Sequence, residues 1–293
     1  MTQHVAKNFM GEGKRPSRAP STTEPEISLV VPAYRDAERL RVSLPIFRRT
    51  LEQIGADGYE IIVSDDGSHD NGATKEVTEK NGCRYVAGRE NQGKGAAVRR
   101  GVLKAKGRLV LFTDSDAPYA SESIALIVEG LRAGSAEVFV GDRHLPDSRY
   151  YEQTSSMRSV ASVAFLLFVR LLLGRGWKDT QCGLKGFRRD VAQIIFAHQT
   201  IRGFAFDVEI LYLAQLIGAR IGRVPVIFRG TAPSHVRIGR DSVRMLRDLL
   251  ALAIGHFQSA PARAKALAEM LPKANVTPFT SRVAEPAPKR RAS

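Results

Sequence analysis

Two periodicities alternate through the first half of the chain. Ile27-Ser-Leu-Val-Val31 is a short apolar run closed by Pro32, which predicts a buried strand. From Glu38 to Ile54 the apolar residues Leu40, Leu44, Phe47, Leu51 and Ile54 fall at the spacing of one helix face, and Gly55 and Gly58 end it. Glu60-Ile-Ile-Val-Ser64 predicts a second strand, Asn71 to Lys80 a helix and Cys83 to Ala87 a third strand. The glycine-rich loop Asn91-Gln-Gly-Lys-Gly95 leads into a helix ending near Lys104, and Arg108 to Thr113 predicts a fourth strand. This alternation implies an α/β fold with a mostly parallel sheet flanked by helices. Ligands of such sheets bind beyond the carboxyl ends of the strands. Pro32 to Arg35, Asp65-Asp66-Gly67-Ser68, Asn91 to Gly95 and Asp114-Ser-Asp116 are therefore expected along one edge.

The second half is less regular. Ser121 to Ala133 and Phe204 to Ile217 predict helices, Glu137 to Gly141 and Val224 to Phe228 strands, and Asp179-Thr-Gln-Cys-Gly183 a compact polar turn. Met157 to Leu173 is apolar but broken by Ser162 and Arg170, too short to span a bilayer and suited to an interface. Arg237, Arg240, Arg244 and Arg247 recur at spacings of three and four, on one side of a helix reaching about Phe257 whose other side holds Leu246, Leu249, Leu250, Ala253 and Ile254. Residues 1–26 and 258–293 are polar and Pro-rich and are expected to be loose tails, leaving one domain over 27–257.

The net charge of the 293 residues is +14, of which the tails contribute +1 and +5, so the central domain keeps +8. A basic domain points to an anionic partner: nucleic acid, an anionic membrane surface or a phosphorylated substrate. The tails hold only Phe9 and Phe279 as aromatics, which argues against nucleic acid. Cys83 and Cys182 stand apart without ligand spacing, so no disulfide framework or zinc site is expected and a reducing cytoplasm is the default. The N-terminus lacks the apolar stretch of a signal peptide.

The acid pair Asp114 and Asp116 after a strand suits a hard cation such as Mg²⁺ or Mn²⁺ carrying a diphosphate, although an acidic helix-capping turn uses the same residues. The carboxylates of Asp65 and Asp66 can accept from a nucleobase and ribose, with an acidic turn as the alternative. Gly88-x-x-x-x-Gly93-Lys94 resembles the start of a phosphate-binding P-loop, but Gly95 stands where that loop needs Ser or Thr. Lys94 remains a candidate for the diphosphate. Asp179 and Gln181 can meet sugar hydroxyls, Arg237 and Arg240 can meet phosphate, and Asp207 and Glu209 lie in a helix's first turn, where acids also complement the dipole.

The ordered motifs Val30-Val-Pro-Ala-Tyr-Arg-Asp-Ala-Glu-Arg-Leu40, Val63-Ser-Asp-Asp-Gly-Ser-His-Asp70, Asn91-Gln-Gly-Lys-Gly-Ala-Ala97, Phe112-Thr-Asp-Ser-Asp116, Asp179-Thr-Gln-Cys-Gly-Leu-Lys-Gly-Phe187, Phe204-Ala-Phe-Asp-Val-Glu-Ile210 and Arg240-Asp-Ser-Val-Arg-Met-Leu-Arg-Asp-Leu249 cover about 27–257. Together they resemble family 2 glycosyltransferases of the GT-A, Rossmann-like nucleotide-sugar-binding fold, above all the dolichyl- and polyprenyl-phosphate glucosyltransferases. The resemblance implies that Pro32, Tyr34, Glu38 and Asp66 frame the nucleoside, and that Arg237 and Arg240 are phosphate partners. It places Asp114 and Asp116 at the metal and diphosphate, and Asp179 and Gln181 near the sugar, with Asp116, Asp179, Gln181 and Arg240 as the catalytic candidates. It also implies transfer of glucose from UDP-glucose to polyprenyl phosphate with inversion, by an enzyme held peripherally on the cytoplasmic face of a membrane through amphipathic helices. Another sugar, such as a hexosamine or mannose, or a soluble acceptor is the alternative, and a separate membrane protein is a further conceivable partner. The chain departs from the family at Arg35, where Asn is usual, and at Pro118, which offers no ligand.

Overall fold

In the computed structural model, residues 24–150, 165, 169–174, 177, 179–228 and 244–255 are described. The elements in chain order are β1 (Ile27–Ala33), α1 (Ala37–Gln53), β2 (Tyr59–Asp65), α2 (Ala73–Lys80), β3 (Arg84–Ala87), α3 (Lys94–Leu103), β4 (Leu109–Phe112), α4 (Ser121–Arg132), β5 (Val138–Asp142), β6 (Arg149–Tyr150), β7 (Lys185–Arg188), α5 (Arg189–His198), α6 (Phe206–Leu216), β8 (Ile221–Pro225) and β9 (Ile227–Phe228). Seven strands form one sheet in the order β3-β2-β1-β4-β7-β5-β8, and β6 pairs with β9 beside it.

Only β7 runs against its neighbours in the large sheet; β1 is parallel to β2 and β4, β2 to β3, and β5 to β8. The carboxyl ends of β1 to β5 and β8 therefore share one edge, and the antiparallel β7 begins at that same edge. Its approach turn, 179–184, thus arrives among the loops that leave the other strands.

Side-chain alternation sorts the core into two layers, as expected for strands covered on both faces. Val30, Ile62, Val110 and Phe112 face α3, α5 and α6. Leu29, Val31, Ile61, Val63, Leu109 and Leu111 face α1, α2 and α4. The ring of Phe112 packs within 5.8–6.3 Å of Phe187, Phe196 and Phe206, centroid to centroid, directly beneath the edge that carries Asp114.

Several expectations need correction. β1 does not stop at Pro32 but continues to Ala33. Val30 C=O accepts from Thr113 N–H, so by strand alternation Pro32 turns its missing N–H toward the β4 side, where pairing has ended at Phe112. The last long strand starts at Ile221 rather than Val224, and it breaks before Ile227. β7 and α5 have no counterpart in the sequence reading. Most of Met157–Leu173 and the arginines at 237 and 240 lie outside the described residues, while 244–255 is helical as expected. No helix among the described residues is long and apolar enough to cross a membrane.

Candidate active site

The loop after β2 is shaped by its own acids. Asp65 accepts from Ser68 N–H and from the hydroxyls of Ser68 and Tyr85, the latter at 2.7 Å. Asp66 Oδ2 accepts from Gln92 N–H at 3.0 Å and Gly93 N–H at 2.6 Å, while Arg100 approaches Oδ1 at 3.4 Å. Burial still pushes the Asp66 pKa up against these donors. Asp66 thus fixes the loop that opens α3.

That loop is also pinned from the other side. A Cβ on Gly93, whose φ is +108°, would stand 2.6 Å from Arg202 C=O, and one on Gly95 would meet Ile201 C=O at 2.7 Å. Ala96 N–H donates to Arg202 C=O and the Gln199 amide to Gly95 C=O. Segment 199–202 is itself held by Glu209, fully buried, which accepts from Thr200 N–H, the Thr200 hydroxyl and Ile201 N–H. Glu209 therefore anchors a loop and does not serve a helix dipole in solvent.

With its backbone fixed at the first residue of α3, Lys94 extends its ammonium to Asp114 Oδ1 at 2.5 Å. Burial works against the charged form of Lys94, yet the carboxylates of Asp114, Asp207 and Asp116 outweigh it and raise its pKa. Asp116 is pushed up by burial and then by the charge of Asp114, with Arg39 and Lys94 opposing. Between the two acids, Ser115 donates to Asp36 Oδ2 at 3.0 Å, and Ala117 takes φ +49°, turning the loop away from the sheet. Pro118 is buried and supplies no donor.

Asp207 is a further buried acid here, 3% exposed, and receives a short ion-paired hydrogen bond from Lys185. Burial raises the Asp207 pKa against the pull of Lys185 and Lys94. Lys185 is wholly buried, also donates to Cys182 C=O at 2.7 Å, and lies 5.5 Å from the Phe112 ring centroid. A chain of alternating charges, Asp114, Lys94, Asp207 and Lys185, runs from the edge into the core.

The turn before β7 closes over the acid pair. A Cβ on Gly183 would collide with the Asp114 carboxylate, and Gly183 N–H donates to the Tyr119 hydroxyl at 2.8 Å. Asp179 accepts a two-pronged bond from Arg143, at 2.7 and 2.8 Å, together with Arg143 N–H and Gln181 N–H. Burial opposes the ionised form of Asp179, but Arg143 more than compensates and its pKa falls below the usual value. The amide nitrogen of Gln181 is buried with no hydrogen-bond partner, a donor left over at this turn. Sequence reasoning missed Arg143 and Lys185; each is recognisable only through a partner distant in the chain.

Other expected residues are placed less centrally. Pro32 is buried and Tyr34 half-buried beneath Arg35, whose guanidinium lies 5.4 Å from the Tyr34 ring centroid. The Glu38 side chain is 84% exposed and pairs with Arg41. Arg237 and Arg240 lie outside the described residues.

The donor set suits a hard divalent cation. Asp114 and Asp116 supply carboxylate oxygens, the missing Cβ of Gly183 leaves room against Asp114, and a cation would offset the burial and the Asp114 charge that together lift Asp116. Asp142, His144 and Asp179 also bring ligand atoms within 4.8 Å of one another. Asp142 is paired with Arg223 at 3.3 Å and Asp179 with Arg143, so this second group already holds its cations.

Known proteins resemble this chain in sequence and fold. Dolichyl-phosphate beta-glucosyltransferase of Dictyostelium discoideum is 34% identical over 238 residues, covering 76% of this chain and 72% of that relative. The human protein of that name is 29% identical over 251 residues, covering 80% and 77%. Among solved structures, glucosyl-3-phosphoglycerate synthase from Mycobacterium tuberculosis with phosphoglyceric acid gives a TM-score of 0.58 at 19% identity, covering 81% of this chain and 85% of that one. The same enzyme with Mn²⁺, uridine diphosphate and glucosyl-3-phosphoglycerate gives 0.56 at 17%, covering 86% of each. These structures share the GT-A fold. The family model for Glycosyl transferase family 2 matches residues 28–196, from β1 through the acid pair and the 179–184 turn into α5. The chain is a glycosyltransferase belonging to glycosyl transferase family 2.

Proposed function

We propose that the chain transfers glucose from UDP-glucose to the phosphate of a dolichol-type polyprenol, with inversion and with help from Mg²⁺ or Mn²⁺. The observation that carries this reading is the meeting of Asp114, Asp116 and Lys94 at the carboxyl edge of the sheet. Kinship with dolichyl-phosphate glucosyltransferases supports the choice of donor and acceptor.

The nucleoside lies between Pro32, Tyr34 and the Asp65–Ser68 loop, with the glycine loop held in place by Asp66. The diphosphate meets the N-terminus of α3, where the helix dipole and Lys94 favour an anion. Asp114 and Asp116 would hold the metal, which would supply positive charge to the leaving diphosphate. Arg143 keeps Asp179 ionised and fixed, so the turn presents Gln181 and Asp179 to the sugar in one orientation. A phosphate acceptor is already an oxyanion near neutral pH, so no strong general base is required. Arg237 and Arg240 are assigned to the phosphates of acceptor and donor. Leu246, Leu250 and Ile254 form a stripe on the 244–255 helix, each 43–49% exposed, beside the exposed Arg244 and Arg247. This combination of apolar and cationic surface supports attachment to an anionic membrane face, taken to be the cytoplasmic one, where the acceptor resides.

The test is transfer by purified protein from UDP-glucose to polyprenyl phosphate in vesicles, with Mg²⁺ or Mn²⁺. UDP-linked hexosamine, GDP-mannose and a soluble phosphorylated acceptor serve as competing arms. Asp114→Ala and Asp116→Ala should each lower kcat by about 10²- to 10³-fold. Near wild-type turnover in either variant would sink the metal assignment.

A further inference from the structure

Lys94 and the proposed metal need the same oxygen atoms. Its ammonium sits 2.5 Å from Asp114 Oδ1, and the two side chains are only 21% and 30% exposed. Two glycine contacts, Gly93 against Arg202 C=O and Gly95 against Ile201 C=O, fix the backbone on either side of Lys94, so any movement belongs to its flexible stem. The second acid near Lys94, Asp207, already has its own cation in Lys185. Lys94 can therefore leave without stranding Asp207. Asp114, by contrast, has Lys94 as its one salt-bridge partner among the described residues.

We propose that Lys94 is a built-in counter-ion of Asp114 that the divalent cation displaces, so that metal and nucleoside diphosphate bind together and Lys94 passes from carboxylate to diphosphate. The inference rests on the metal and diphosphate reading above. Its physical basis is a linkage. Metal arriving alone must drive the ammonium off its carboxylate with no new anion to receive it. Metal arriving with the diphosphate supplies that anion at the N-terminus of α3.

Electron paramagnetic resonance of free aquated Mn²⁺ measures the metal affinity without turnover, once the Mn²⁺ held by UDP in a protein-free control is subtracted. Wild-type protein should bind Mn²⁺ at least about tenfold more tightly with UDP than without it. Lys94→Met, which keeps the stem and removes the charge, should bind Mn²⁺ alone at least about tenfold more tightly than wild type, because an opposite charge this close biases a carboxylate by that order. UDP should then improve its affinity less than it does for wild type. Lys94→Gln serves if the methionine variant melts early by circular dichroism. Wild-type affinity that ignores UDP overturns the proposal whatever the variants do. Unchanged or weaker Mn²⁺ binding by the variant overturns it too, while leaving the metal assignment intact if wild type binds Mn²⁺ with UDP. Wild type that takes no Mn²⁺ even with UDP overturns both.

Discussion

On the β3-β2-β1 side of the sheet, the edge acids Asp65 and Asp66 take their hydrogen bonds from backbone N–H groups and hydroxyls, with Arg100 as a distant cation at 3.4 Å. On the β7-β5-β8 side, Asp179, Asp142 and Asp207 each meet a cationic side chain: Arg143, Arg223 and Lys185. The first side is shaped by the path of the main chain, so it depends on glycines and close approach. The second depends on charge placed by tertiary packing. Asp114 lies on the seam between them, with Lys94 from one side and Gly183 from the other.

The largest stability effect expected from breaking this contrast is at Lys185. Lys185→Met leaves Asp207 buried without its closest cation and should cost about 3–5 kcal/mol in urea unfolding, whereas pairing it with Asp207→Leu should recover much of that loss. A double variant no more stable than the single one would show that charge pairing is not what holds this side. Gly93→Ala tests the other side. Its positive φ and its contact with Arg202 C=O predict a loss of about 1–3 kcal/mol together with weaker UDP binding by calorimetry. An unchanged UDP affinity would mean that the backbone path of the glycine loop does not govern the donor site. Glu38→Ala should be the mildest, within about 0.5 kcal/mol, because an exposed pair with Arg41 contributes little. A large fall in UDP affinity there would bring Glu38 into the nucleoside site in the bound state.

The same contrast explains what was legible beforehand. β1 through β4, with their helices, carry clean apolar periods, and their loops bear acids and glycines that follow directly from strand ends. β7 reads Lys-Gly-Phe-Arg, with one apolar side chain and a lysine as fully buried as that phenylalanine, so no alternation announces it. Lys185 is tolerated there because Asp207 and the Phe112 face, both distant in the chain, join the nearby Cys182 C=O around its ammonium. The pairing of Arg143 with Asp179 likewise depends on β5 and β7 being neighbours. α5 was within reach: Val191, Ala192, Ile195 and Phe196 lie at helical spacing and all are buried. Asp207 and Glu209 were visible as acids, but helix position alone pointed to solvent and the dipole, whereas both are buried with specific donors.

The antiparallel insertion of β7 has a consequence for the order of folding. β7 hydrogen-bonds to β4 on one flank and β5 on the other, and it follows both in the chain by a long excursion. It cannot lock until the two strands already present stand at the right separation, and closing so long a loop is entropically slow. Until then the β4 and β5 edges are open, and the 179–184 turn has nothing to fasten it over Asp114. Pulse-labelled hydrogen exchange should find the amides of 185–188 protected after those of β1 and β2, and earlier protection would contradict this order. By that order the candidate site is completed only after β1 and β2 are in place, because the turn that meets Asp114 waits on β7.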